Sequence, residues 1–114
     1  MTPGARRRGR RRVFSAREVP ALAGFARAYL HEDVLIEHGS ALDAVRAFHR
    51  DATTQEQTAL AADFTKLIAA AADWPAEVIT KWFREDLGAA WAPGSFDDLV
   101  ELGAAAARAP RRAT

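Results

Sequence analysis

The sequence predicts an all-α fold, a single compact bundle of about five short helices. Three observations predict it. Alanine is abundant while strand-favouring residues are sparse, a balance that favours helix. Apolar residues recur at helical spacing in separate stretches along the chain. Ser, Thr, Pro and Gly stand where helices start and stop.

The first helix is predicted from about Pro20 to His31, with proline in its first turn. Leu22, Phe25, Ala26, Tyr29 and Leu30 make one buried stripe. Glu32–Gly39 then turns the chain, and its alternating Val34 and Ile36 suit an extended, partly buried stretch. Ser40 is a good N-cap for a second helix, with Asp43 in the first turn and Leu42, Val45, Phe48 and His49 as its stripe. A third helix follows Ala52. Either Thr53 with Glu56 or Thr54 with Gln57 supplies a capping box, and Leu60, Phe64, Leu67, Ile68 and Ala71 supply the apolar face.

Asp73-Trp74-Pro75 reads as the start of a fourth helix, with Asp73 as its cap. That helix carries Val78, Ile79, Trp82, Phe83 and Leu87, and Gly88 can close it in a left-handed cap. After the loop Ala89–Gly94, Ser95 opens a fifth helix with Asp97 and Asp98 in its first turn. Phe96, Leu99, Val100 and Gly103 are expected to face inward.

Charge divides the chain of 114 residues into three parts. Residues 1–17 hold seven arginines, no acid and no apolar period, and are expected to form a disordered basic arm. Two readings of the arm stand open, a nucleic-acid-binding arm and a solvated tail. Residues 108–114 are expected to form a second disordered basic tail, with Pro110 blocking helix extension. Both tails should therefore be dispensable for folding. The helical domain between them, residues 18–107, carries all fifteen acids against six basic residues, a net charge of −9. Such a surface repels nucleic acid and attracts basic proteins.

Several function classes find no support. The chain has no cysteine, which excludes disulfides and Cys-ligated metal sites and fits a reducing compartment, so a cytoplasmic location is expected. No apolar run approaches the roughly 18–20 residues of a membrane span. The histidines His31, His38 and His49 include no pair at the i, i+4 spacing of a helical zinc motif, so neither they nor the nearby Glu32, Asp33 and Glu37 predict a metal site. No catalytic residues and no cofactor are expected. Of the three serines, Ser40 and Ser95 have capping roles, and there is no Gly-rich phosphate loop. Adjacent acids at Glu32/Asp33, Glu85/Asp86 and Asp97/Asp98 diverge by about 100° on a helix and do not converge on a substrate. A helix-turn-helix reading of the second and third helices would expose Gln55, Thr58, Asp63, Thr65 and Lys66, a face too poor in cations to meet phosphates.

The run Phe25-Ala-Arg-Ala-Tyr29-Leu30-His31-Glu32-Asp33 resembles a segment of the immunity proteins of contact-dependent growth inhibition systems. Gly39-Ser40 with Ala44–Phe48 is similar to that family's second helix, and Trp91-Ala-Pro93-Gly94-Ser95-Phe96 to the opening of its last. The resemblance spans about Leu22 to Leu102 and leaves out both tails. Val34 stands where the family often has an aromatic residue, and Leu99 where it often has Trp. The resemblance implies a protein that binds a cognate toxin domain and blocks it sterically. It marks Tyr29, His31, Asp33, Gly39, Ser40, Trp91, Pro93 and Ser95 as motif residues. Glu32, Asp33, Glu37, Asp97, Asp98 and Glu101 are the expected toxin-facing acids, since complementary charge speeds encounter with a basic partner. The competing reading is a small nucleic-acid-associated regulator that uses the Arg-rich arm.

Overall fold

The computed structural model describes residues 14–30 and 40–108. Among them five α-helices follow one short 3-10 turn, Ala16–Glu18, and no strand is present. The helices are α1 (Pro20–Tyr29), α2 (Ala41–Asp51), α3 (Thr54–Ala71), α4 (Ala76–Glu85) and α5 (Phe96–Ala107). The all-α expectation holds.

Helix α3 is the spine. It packs on α5 along one side and on α1 along another, while α2 closes against α1 and α5. Its predicted face is the buried one. Leu60, Phe64, Leu67 and Ala71 lie in the core, with Ile68 half-buried at its edge. The closest approach to α5 is at Gly103, where an added Cβ would lie 2.8 Å from Ile68 Cδ1 and 3.4 Å from Phe64 Cβ. A glycine there lets the two helices meet backbone to side chain. The inward face of α5 consequently runs through Leu99, Leu102, Gly103 and Ala106. This corrects the expected face. Val100 points to solvent at 38 % exposure, and Phe96 is only partly buried.

Small residues also reset α2. Ala41, Ala44, Val45 and Ala47 are buried, whereas Leu42, Phe48 and His49 of the expected stripe are half-buried. Alanines let α2 approach its neighbours closely, and its larger side chains flank that contact. His49 Nε2 is 3.1 Å from the carbonyl of Ala106 and ties the end of α2 to the end of α5.

The helix starts repeat one device. Ser40, Thr53 and Ser95 each accept a hydrogen bond from the backbone N–H three residues on. Thr53 with Glu56 forms the full capping box, which resolves the two options the sequence left. Helix α1 differs. Its N-cap Val19 is fully buried and offers no side-chain acceptor. Asp63 of α3 supplies one instead, its Oδ2 accepting from the N–H groups of Ala21 (2.7 Å) and Leu22 (3.1 Å). A carboxylate at a helix N-terminus satisfies orphan donors and complements the dipole. At α4 the expected cap Asp73 is displaced by Pro75, which takes the N-cap position without a side-chain bond. Gly88, with φ +71°, turns the chain in the left-handed region after α4, as expected.

Phe14 and Ala16, which composition assigns to the arm, pack against the core, while Arg17 is exposed. Phe14 lies against Trp82 and Trp74, at ring-centroid distances of 5.7 and 6.2 Å. Its carbonyl accepts from Trp82 Nε1 at 2.8 Å. Ser15 and Glu18 then close a capping box around the 3-10 turn. At the other end, Arg108 caps α5 through its N–H. Of the tails expected at residues 1–17 and 108–114, residues 1–13 and 109–114 lie outside the described residues.

Candidate functional site

Of the acids expected to face a partner, Asp97, Asp98 and Glu101 are described, and all three are exposed on α5. Glu32, Asp33 and Glu37, together with the motif residues His31 and Gly39, lie outside the described residues. The three acids on α5 are not equivalent. Asp98 is engaged with the backbone. Its N–H donates to the Ser95 hydroxyl and its Oδ2 accepts from the Gly94 N–H, both at 3.1 Å. Asp97 and Glu101 make no side-chain hydrogen bond or ion pair among the described residues. They stand one helical turn apart with Val100 between them, an acidic strip with an apolar centre.

The loop before α5 is fixed in place. Trp91 meets Phe83 edge-on at 5.9 Å, Pro93 is fully buried, and the Thr80 hydroxyl of α4 donates to the Pro93 carbonyl at 2.7 Å. Trp91, Pro93, Ser95 and Ser40 thus serve the fold, Trp91 and Pro93 by contacts with α4, Ser95 by capping α5 and Ser40 by capping α2. Ala90, next to Trp91, donates its N–H to the Leu30 carbonyl at 2.8 Å. Leu30 is where the chain leaves for the acidic segment 31–39. The structure therefore brings the root of that segment to the root of the α5 loop, a proximity that nothing in the linear sequence establishes.

Tyr29 belongs to a different feature. It stacks on Phe25 (5.6 Å between centroids, 13° between planes), and Phe48 of α2 meets both rings edge-on. The Tyr29 hydroxyl donates to Asp51 Oδ2 at 3.1 Å. Burial raises the phenol above its ordinary pKa, and the bond to Asp51 and the Asp51 charge add to this, Glu56 slightly, while Arg50 opposes it. The phenol is therefore held as a hydrogen-bond donor. These rings line a groove together with Gly24, several alanines and the exposed acids Asp51 and Glu56. A second groove, on another face of α2, has the opposite character, with Arg46, Arg50 and Arg108 around Leu42 and Val45. Sequence reasoning missed both grooves, because each is assembled from separate helices. The only advance signal was Tyr29 itself, singled out as a motif residue.

The remaining titratable feature is Asp86, just past the end of α4. Burial and the neighbouring Glu85 raise its pKa above the ordinary carboxylate value. Among the described residues no group of three or more His, Asp or Glu side chains is arranged to hold a metal ion, and no helix is long and apolar enough to cross a membrane.

Compared with known proteins, residues 18–102 match a family model described as CdiI immunity protein. No curated protein and no solved structure matches the chain. The matched span runs from the 3-10 turn to Leu102 of α5 and so takes in both the acidic strip and the aromatic groove.

Proposed function

The chain belongs to the CdiI immunity protein family, and from that membership we propose that it binds the cognate toxin domain of a contact-dependent growth inhibition system and neutralises it by steric block. The observation that carries this reading is the family match across nearly all of the helical domain. The charge of that domain supports it, since a net −9 over residues 18–107 favours a basic partner. The protein works in the cytoplasm, where a delivered toxin must be met, and works by binding rather than by turnover.

Asp97 and Glu101 are the toxin-facing pair on α5, because they are exposed and free. Asp98 supports them by fixing the loop at Gly94. Glu32, Asp33 and Glu37 lie outside the described residues and complete the proposed set on the charge pattern of the sequence. Carboxylates in this arrangement act on encounter, pulling in a basic protein through a field that salt screens.

The test begins in cells. Expression of this chain should protect against the toxin domain encoded beside it, and a folded, unrelated acidic helical protein should not. Charge reversal then addresses the surface. Asp97→Lys with Glu101→Lys should slow association with the toxin domain and flatten its dependence on salt. Reversal at Asp97 opposes the α5 dipole at a cost of about 0.3–1 kcal/mol, so melting is checked first. A folded double variant with unchanged association rate and salt slope would remove this strip from the interface. Absence of protection by the wild-type chain would remove the immunity reading.

A further inference from the structure

We propose that the groove between α1, α2 and α3 is a receptor for one arginine or lysine side chain of the toxin, an inference that rests on the immunity reading. Six residues define it. Gly24, the rings of Phe25, Tyr29 and Phe48, and the exposed acids Asp51 and Glu56 line it together.

The chemistry selects the occupant. A groove lined in part by glycine and alanine suits the slender methylene stem of a long side chain. Of the three rings Phe25 is buried, while Tyr29 and Phe48 are half-buried, and an exposed aromatic face attracts a cation. The two exposed carboxylates add charge complementarity. Neither Asp51 nor Glu56 forms an ion pair among the described residues, where the ion pair present is Arg46–Asp43. An apolar occupant would gain the apolar lining but would leave those charges uncompensated as water is excluded. An anionic occupant would meet like charge.

Two features show that the groove is preorganised. Tyr29 is held by its bond to Asp51 and by contacts with both phenylalanines. Glu56 is held by accepting from the Thr53 N–H at 2.8 Å. A cation arriving there meets groups already oriented, so little ordering cost offsets the gain. The groove also has an unobstructed point of access for a test. A Cβ built on Gly24 meets no heavy atom within 4 Å.

Two variants separate the groove from the fold and from the wider interface. Asp51→Asn with Glu56→Gln removes both charges while keeping an oxygen acceptor for the Tyr29 hydroxyl and for the Thr53 N–H. Gly24→Leu fills the groove from a half-exposed helix position where a Cβ meets nothing within 4 Å, and raises helix propensity. Each is measured as the full chain against the neighbouring toxin domain, after melting confirms the fold. The charge-neutral pair should weaken binding by about tenfold, the scale of a desolvated cation–π and carboxylate contact. Gly24→Leu should weaken it by at least as much. Binding by both variants within about twofold of wild type, where wild type binds, would overturn the groove assignment and leave the immunity reading intact. Weakening by Gly24→Leu alone would show an apolar occupant and overturn the cation assignment. Failure of the wild-type chain to bind the toxin domain would overturn the immunity reading, and this inference with it.

Discussion

Phe14→Ala is the substitution on which sequence composition and structure disagree most sharply. Composition puts Phe14 in a dispensable basic arm. The structure puts its ring, half-buried, against Trp74 and Trp82, which also meet each other. A fully buried aromatic side chain removes 150–250 Å² from water, so the half-buried ring accounts for about 100 Å². At about 25 cal/mol per Å² that is roughly 2.5 kcal/mol, an upper estimate because the unfolded chain hides some of it. The hydrogen bond from Trp82 Nε1 goes to the Phe14 backbone and can survive the substitution. The net expectation is a loss of about 2 kcal/mol, or about 8–16 °C in Tm for a domain of this size. Thermal melting by far-UV circular dichroism reads the loss. Tryptophan emission should shift to the red, since Trp82 is 7 % exposed and loses part of its cover. Arg17→Ala, at an exposed neighbour, is the control and should change stability by less than about 0.5 kcal/mol. If Phe14→Ala melts with the control, Phe14 contributes nothing to the domain and the boundary belongs at residue 18 after all.

Other substitutions test the core, the turn and the charge at the end of α4. Phe64→Ala should cost about 3–5 kcal/mol, because Phe64 is 1 % exposed and faces the helix contact at Gly103; denaturant melts that show less than about 0.5 kcal/mol would mean the α3 face is wrongly placed. Gly88→Ala should cost about 1–2 kcal/mol, since φ +71° is strained for a residue with a Cβ; an unchanged midpoint would mean the turn relaxes without cost. Asp86→Asn should raise stability at neutral pH, because the folded state holds the charged carboxylate unfavourably. The raised pKa means that the folded protein takes up this proton first as pH falls, so the wild-type deficit should shrink through the acid range; a deficit that grows on acidification would contradict this sign.

The periodic and local features of the fold were legible in the sequence. Ser40, Thr53 and Ser95 cap helices because a hydroxyl three residues before an orphan N–H is a local arrangement. The α3 face was legible because four large apolar residues repeat along it. What was missed depends on distant partners. Asp63 reads as an exposed polar residue until α1 arrives to be capped by it, some forty residues away in sequence. Phe14 has no period of its own and sits among arginines, so only Trp82 reveals its role. In α2 and α5 the largest apolar residues drew the predicted face, but close helix approach selected Ala44, Ala47 and Gly103 instead. The same logic applies to function. The resemblance pointed to Tyr29 and the charge pattern to the acids of α5, yet which acids are free depended on the bond between Asp98 and Gly94. The groove beside Tyr29 needed three helices in place before Asp51 and Glu56 could line it together.

Isothermal titration of the full chain with the toxin domain encoded beside it tests the central claim most directly. The account predicts a saturable complex of one chain with one toxin domain, with a Kd that weakens as salt rises. Absence of binding heat and of a complex on gel filtration, with both proteins folded and the toxin active, would contradict it.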